Sequence, residues 1–185
     1  MRLHLPYSKK FVSLIVLTLL FRAIHLKTDD TFLLVSFPPQ IVVNNAVQII
    51  PNASIYQFGI MMSNVHMAWV RAVCGRIKSD YRYSKDVVYN NFPWPAPTEQ
   101  QKAKIEQTAQ AILDARALYP DSSLADLYDE LTMPLELRKA HQANDRAVMD
   151  AYGFIKGTAA RTSESACVAE LMKLYQQKVS AAQSK

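Results

Sequence analysis

Hydrophobic positions along the chain follow a strand-like pattern first and a helix-like pattern afterwards. Between Phe32 and Ile50, runs of Val, Ile and Phe are short and are separated by turn-forming Pro and Asn residues, which predicts two or three strands. From Phe58 to Val73 the apolar residues recur at helical spacing, and Gly75 follows in the position of a C-terminal cap. The sequence therefore predicts two or three short strands followed by one long helix, within a mixed α/β part that extends to about residue 97.

The segment after this helix combines basic, aromatic and proline residues. Its Tyr and Val residues alternate with charged residues from Gly75 onward, which favours an extended ribbon or loop. The run Phe92-Pro93-Trp94-Pro95-Ala96-Pro97 cannot be helical, because proline lacks the backbone N–H and restricts the residue before it. We therefore expect an extended connector that ends near residue 97.

Helical patterns dominate after the connector. Thr98 and Gln101 form a capping box for a helix that runs to about Leu118. Further helices are expected after Ser123, from Pro134 to Gly153, and from Thr162 or Ser163 onward. The predicted fold class is α+β: a partial mixed α/β domain followed by an all-α C-terminal helical subdomain.

The N-terminal region contains an apolar run, Phe11–Phe21, directly after Lys9 and Lys10. The run has the shape of a signal-peptide core, but it is too short to span a bilayer as a helix. Three interpretations stay open: a buried strand or helix, an export signal, or residues that are not native to the fold.

Composition argues against several kinds of catalytic site. The four glycines are not closely spaced, and no glycine-rich phosphate loop, HExxH motif or paired-carboxylate site is evident. Cys74 and Cys167 lie far apart without ligand spacing, so neither a disulfide scaffold nor a zinc site is indicated, and a reduced, cytosolic setting fits. His66 has no second ligand nearby and is interpreted as structural. We predict no catalytic, cofactor-binding or metal-binding residue in this chain.

Positive charge is concentrated in one stretch. The chain carries a formal net charge of +5, and five basic residues lie between Arg71 and Lys85 against one acid, Asp80. Nucleic acids need cations for phosphate oxygens and directed polar groups for base edges. This stretch offers both kinds of side chain, which makes it the candidate binding site.

Lys78 and Asp80 are the candidate base-reading pair. On an extended segment their spacing of two residues places both side chains on one face. Lysine can donate to guanine O6 or N7 and aspartate can accept from the cytosine amine, so together they could read one G·C pair in the major groove. The alternative is that Lys78, Asp80 and Arg82 form exposed ion pairs on a solvated strand.

Two long strings resemble the MmeI-like (type IIL) restriction-modification enzymes and related class I DNA methyltransferases. The first string, which is similar to their target-recognition region, is FGIMMSNVHMAWVRAVCGRIKSDYRYSKDVVYNNFPWP. The second string, which is similar to their C-terminal helical subdomain, is AILDARALYPDSSLADLYDELTMPLELRKAHQANDRAVMDAYG. The resemblance covers residues 37 to 180, roughly. It implies three parts in this chain: an atypical segment 1–36, a partial DNA target-recognition domain 37–97 and a helical subdomain 98–185.

In that family, one polypeptide transfers a methyl group from S-adenosylmethionine to the exocyclic amine of adenine in a short DNA site, and many members also carry an endonuclease domain. The resemblance places catalysis upstream, with a glycine-containing cofactor loop and an Asn/Asp-Pro-Pro-Tyr/Phe motif that holds the flipped adenine. Phe37-Pro38-Pro39-Gln40 shares only the double proline with this motif. The cofactor therefore belongs to the full-length family and not to this chain.

The resemblance also implies site residues. Residues just before the Tyr-Ser element vary with the DNA site in this family, which again indicates Lys78 and Asp80 for base recognition. Trp69, Phe92 and Trp94 are expected to brace the recognition segment. The expected phosphate contacts are Arg71, Arg76, Arg82, Ser84 and Lys85.

The first 36 residues do not continue the family's upstream recognition domain, and a truncated or frameshifted gene would explain this. We therefore expect DNA sequence recognition without catalysis, in the cytoplasm, with double-stranded DNA as partner and no membrane. An upstream methyltransferase catalytic domain or separate chain is a further expected partner. The alternatives are a non-catalytic helical protein-interaction or regulatory module and, if the apolar run is a signal, a secreted or membrane-attached protein.

Overall fold

The computed structural model describes residues 17–21, 34–37, 48–77 and 80–183. Its first element is an antiparallel sheet of β1 (Leu17–Phe21), β2 (Leu34–Phe37) and β3 (Gln48–Ala53), in the order β2-β1-β3. Leu20 is paired with Val35 on one side and with Ile49 on the other. The central strand thus comes from the apolar run, which favours the strand interpretation, and β2 and β3 confirm the prediction of strands between Phe32 and Ile50.

Two helices follow where one was expected. Helix α1 (Ile55–Met61) and helix α2 (Asn64–Val73) are separated at Met62 and Ser63. The Ser63 hydroxyl donates to the Ile60 carbonyl at 2.6 Å and accepts from the His66 N–H at 3.4 Å, so this residue caps α2. The prediction of one helix capped by Gly75 is wrong, because Cys74 in extended conformation ends α2 and Gly75 begins a strand.

A short antiparallel ribbon leaves the end of α2. It consists of β4 (Gly75–Ile77) and β5 (Asp80–Arg82), which confirms the expected extended ribbon or loop for these two strands but not for the helical turn after them. A π-helical turn, Lys85–Tyr89, follows, and its N–H groups reach five residues back, as in the 2.9 Å bond from Asn90 to the Lys85 carbonyl. Residues 92–98 then have neither helix nor strand, as predicted.

The rest of the described chain is helical, which confirms the predicted fold class. The Thr98–Gln101 capping box is present, and Gly153 adopts a φ of 74° after α5, as its predicted role as helix terminator requires. The four-residue helix α6 was not predicted. The helices are α3 (Glu99–Ala117), α4 (Leu124–Leu127), α5 (Leu135–Ala151), α6 (Ala159–Thr162) and α7 (Glu164–Gln183).

The hydrophobic core extends across residue 97. Helix α2 is central, because all six residues from Val65 to Val70 are buried. One cluster joins Phe58 and Met61 of α1 to Ile112 of α3, and a second joins Trp69 of α2 to Leu171 of α7. Residues from both sides of the connector therefore share one core.

Gly59 sits where α1 crosses α3 and α5. A Cβ atom at this position would lie 2.8 Å from Cγ2 of Ile105 and 2.9 Å from Cβ of Ala109, closer than real side-chain contacts allow. Glycine is therefore required here by the close approach of the helices rather than by a turn. Within the described part of the chain, no helix combines the length and apolar character needed to cross a membrane.

Candidate nucleic-acid interface

The β4–β5 ribbon carries the centre of the predicted DNA-binding stretch. Its register places Arg76 opposite Tyr81, Arg82 opposite Gly75 and Ile77 opposite Asp80. Lys78 lies outside the described residues, as do the side chains of Arg76, Asp80 and Arg82. The base-reading assignment of Lys78 and Asp80 therefore stays a prediction, with the backbone of Asp80 placed on β5.

Two hydrogen bonds attach the chain that leaves the ribbon to α2. The hydroxyl of Tyr83, the residue after β5, lies 3.2 Å from Nε2 of His66. The indole Nε1 of Trp69 donates to the Val88 carbonyl in the π-helical turn at 3.1 Å. Because His66 and Trp69 are three residues apart, they lie on the same face of α2.

Burial keeps the Tyr83–His66 pair neutral. His66 is completely buried, and this burial lowers its pKa to about 3, so the imidazole carries no charge at neutral pH. The pKa of Tyr83 is raised, first by burial and then by the neighbouring Tyr89 and Cys74. His66 is therefore a structural histidine, as the sequence indicated.

An aromatic cluster supports the connector after the ribbon. Phe92 is buried and contacts His66 edge to face, with ring centroids 4.8 Å apart, and Trp69 at 6.2 Å. Trp94 packs against Phe92 and Tyr89 at 5.3 and 5.6 Å. The three residues expected to brace the recognition segment, Trp69, Phe92 and Trp94, thus lie together beside it.

The helical part holds the connector through two backbone carbonyls. The Tyr152 hydroxyl at the end of α5 donates to the Pro93 carbonyl at 3.0 Å. The Lys178 ammonium of α7 donates to the Trp94 carbonyl at 2.6 Å. Sequence reasoning missed both contacts, because nothing in the local pattern links residues 59 and 84 positions apart.

The predicted phosphate contacts differ in their surroundings. The Lys85 side chain is 66% exposed and lies 3.7 Å from the Asp86 carboxylate. The Ser84 hydroxyl caps the π-helical turn by accepting from the Val87 N–H at 3.3 Å. Arg71, near the end of α2, forms a 2.9 Å ion pair with Glu164 in the first turn of α7. Lys85 is thus the best exposed cation of this group among those with described side chains.

A polar cleft of about 440 Å³ lies next to Arg71, between α2 and the start of α7. The arginines that line it are both paired with carboxylates, Arg71 with Glu164 and Arg161 with Asp150. Among the residues described, no group of three or more His, Cys, Asp or Glu is placed to hold a metal ion.

Known proteins are similar to this chain over most of its length. A solved structure of the type IIL restriction-modification enzyme MmeI in complex with DNA matches 88% of the chain with 42% sequence identity and a TM-score of 0.81. DNA methyltransferase A of Bacillus subtilis (strain 168) is 45% identical over 111 residues, which are 60% of this chain. The chain spans 21% of the MmeI chain and 12% of the methyltransferase.

Two family models match in succession. The MmeI target recognition domain matches residues 29–96, and the MmeI C-terminal domain matches residues 97–182. The chain therefore belongs to the MmeI family and carries the target recognition and C-terminal domains of that family.

Proposed function

We propose that this chain recognises a short DNA sequence as the C-terminal part of an adenine-specific DNA methyltransferase or restriction-modification enzyme, and that it contributes no catalysis itself. The observation that carries the proposal is the basic β4–β5 ribbon inside the matched target recognition domain. A two-stranded ribbon is one of the elements that the major groove of B-DNA admits. Double-stranded DNA is therefore the proposed partner.

Within this proposal, the ribbon residues divide into two roles. Lys78 donates to guanine O6 or N7 and Asp80 accepts from the amine of the paired cytosine, which specifies one base pair. Cationic side chains contact phosphates and fix the register without reading sequence. The proposed phosphate contacts are Arg71, Arg76, Arg82, Ser84 and Lys85. The Arg71–Glu164 ion pair is compatible with such a contact, because a guanidinium has five N–H donors.

S-adenosylmethionine would act elsewhere in the longer enzyme. A cofactor loop needs glycines where the backbone meets the ligand. In the described part of the chain, Gly59 is instead packed against Ile105 and Ala109, and Gly75 lies in the ribbon. These residues do not fit a cofactor cradle, so a methyltransferase domain in the same polypeptide or in a separate chain is a proposed partner. A cytoplasmic setting is part of the proposal and is supported by the two cysteines, which lie far apart in the sequence and lack the spacing of a disulfide scaffold or a metal site.

Exchanging the two predicted base readers tests the recognition role. In a complete enzyme that carries this region, we expect Lys78→Asp with Asp80→Lys to change the preferred base pair at one position of the DNA site. The matched control exchanges two exposed charges outside the ribbon, Lys102→Asp with Asp121→Lys, and should leave the preference intact. An unchanged preference after the ribbon exchange would contradict the base-reading assignment.

A non-catalytic protein-interaction module is the second candidate function. Its supporting observation is a set of exposed leucines in the helical part, of which Leu131 is 93% and Leu118 64% exposed. The salt dependence of binding distinguishes the two candidate functions. DNA binding should weaken steeply as salt increases, whereas apolar docking of a protein should not.

A further inference from the structure

The β4–β5 ribbon is too small to orient itself. Each strand has three residues, and a lone two-stranded ribbon is marginally stable in water. The placement of any side chain on it therefore depends on how the two ends of the ribbon are attached to the rest of the fold.

The outgoing end is attached covalently to α2. The Cys74 N–H donates to the Val70 carbonyl at 2.9 Å, which closes the helix, and Gly75 begins β4 immediately afterwards. The direction of the first strand is thus set by the end of a buried helix.

The returning end is attached to the same helix by a side chain. Tyr83 directly follows β5, packs against both clusters of the core and reaches Nε2 of His66 with its hydroxyl. Val88, five residues later, is held by Trp69 of α2. Both ends of the ribbon therefore meet on α2.

We infer that Tyr83 is a positioning residue for DNA recognition, whose hydroxyl bond to His66 closes the ribbon onto α2 and fixes the orientation of strands β4 and β5. This inference rests on the proposed function for its effect on DNA, but not for the attachment itself. The bond joins the buried, neutral imidazole of His66 to the half-buried, neutral hydroxyl of Tyr83, so salt and phosphate charge do not compete with it as they do with surface ion pairs.

The variant Tyr83→Phe removes the hydroxyl and keeps the ring in the core. Tyr119→Phe is the matched control, because it removes a hydroxyl that donates to Glu136 at 3.1 Å in the helical part. His66→Gln is the conservative variant, since its side-chain amide can still bond to the Tyr83 hydroxyl.

Amide hydrogen exchange in the full chain tests the attachment. In Tyr83→Phe we expect faster exchange at the backbone amides of β4 and β5, with the interior of α5 unchanged. Tyr119→Phe should leave exchange in the ribbon at the wild-type rate, and His66→Gln should keep most of the protection. Ribbon exchange in Tyr83→Phe equal to that of the wild type would overturn the inference.

Sequence discrimination in a complete enzyme carrying this region tests the consequence. We expect Tyr83→Phe to lower the ratio of affinities for the preferred site and for a site with one changed base pair about fivefold, the effect of one neutral hydrogen bond. An equal loss of affinity for both DNAs would make Tyr83 merely structural and contradict the positioning role. If the wild type showed no preference among DNA sequences, the proposed function would fail, and the exchange measurement would still decide whether Tyr83 holds the ribbon.

Discussion

The side-chain amide of Asn144 donates a 2.7 Å hydrogen bond to the backbone carbonyl of Gly59. This carbonyl lies near the end of α1, where the Ser63 N–H bonds to the Ile60 carbonyl instead. Asn144 is completely buried and also accepts from the Thr108 hydroxyl at 3.2 Å. One amide of α5 thus connects α1 to α3.

Asn144→Ala should therefore destabilise the chain by about 1–3 kcal/mol, because it leaves the buried Gly59 carbonyl without this donor. Urea unfolding followed by tryptophan fluorescence would measure the loss. Gln142→Ala, an exposed position on the same helix, should change the free energy of unfolding by less than about 0.5 kcal/mol. Equal stabilities of the two variants would show that the Asn144 bond is not needed.

Gly59→Ala should also destabilise the chain. The added methyl group would collide with Ile105 and Ala109, and overpacking of this kind costs about 1–3 kcal/mol. Alanine's better helix propensity recovers up to about 1 kcal/mol. The control is Gly75→Ala, since a Cβ atom there meets no atom within 4 Å. Thermal unfolding of both variants measures the difference, and a Gly59→Ala protein as stable as wild type would contradict the close helix approach.

His141→Gln should make the free energy of unfolding less dependent on pH in the acid range. Burial lowers the pKa of His141 to about 4, with Arg116 adding to the effect, while a bond to the Met62 backbone opposes it. The unfolded chain takes up the proton near the ordinary pKa of about 6.5. The contribution of His141 to the free energy of unfolding is therefore fully present above about pH 6.5, and it is lost as pH falls from there through about 4.

Free energies of unfolding measured between pH 7 and pH 4, roughly, would check the sign of this effect. Glutamine can keep a hydrogen bond to the Tyr128 hydroxyl, which lies 2.7 Å from Nε2 in the wild type. The difference between wild type and variant should thus grow in favour of the variant as pH decreases. A difference that is constant with pH would be inconsistent with a histidine that the fold keeps neutral.

Lys85→Gln should weaken binding to all DNA sequences without changing which one is preferred. Removing one phosphate contact lowers the slope of log affinity against log salt by about 1. Titrations of a complete enzyme at several salt concentrations measure this slope. Lys139→Gln removes an exposed lysine from α5, which carries no predicted DNA contact, and should leave the slope unchanged. A shift in sequence preference with Lys85→Gln would contradict a role limited to phosphate.

Local chemistry explains which elements could be predicted. The capping box of Thr98 and Gln101 and the terminator Gly153 work within one turn of helix, so sequence spacing was enough. The break before α2 was missed because the apolar spacing continues through it. The Ser63 side chain caps the His66 N–H, a signal that sequence alone offers, but the apolar residues on both sides of Ser63 keep one helical spacing.

The sequence predicts which residue types the candidate site contains, but not the long-range contacts that hold the ribbon in place. The alternating residue types predict the extended ribbon, and the cluster of Arg and Lys residues in the sequence predicts its positive charge. The Tyr83–His66 bond joins residues 17 positions apart, and the Lys178–Trp94 bond residues 84 positions apart, which only the tertiary fold brings together. No local pattern encodes such contacts.

The contact of Gly59 with Ile105 and Ala109 joins the two matched domains. Gly59 belongs to the target recognition domain, and Ile105 and Ala109 belong to the C-terminal domain. A chimera joined at residue 97 would thus combine part of one protein's hydrophobic core with part of another protein's core. Exchange of specificity between relatives by whole-domain grafting should fail wherever the grafted residues opposite Gly59 are larger than the Ile105 and Ala109 that they replace. Under the proposed base-reading role of Lys78 and Asp80, an exchange confined to the ribbon sequence would change specificity and leave the Gly59 contact untouched.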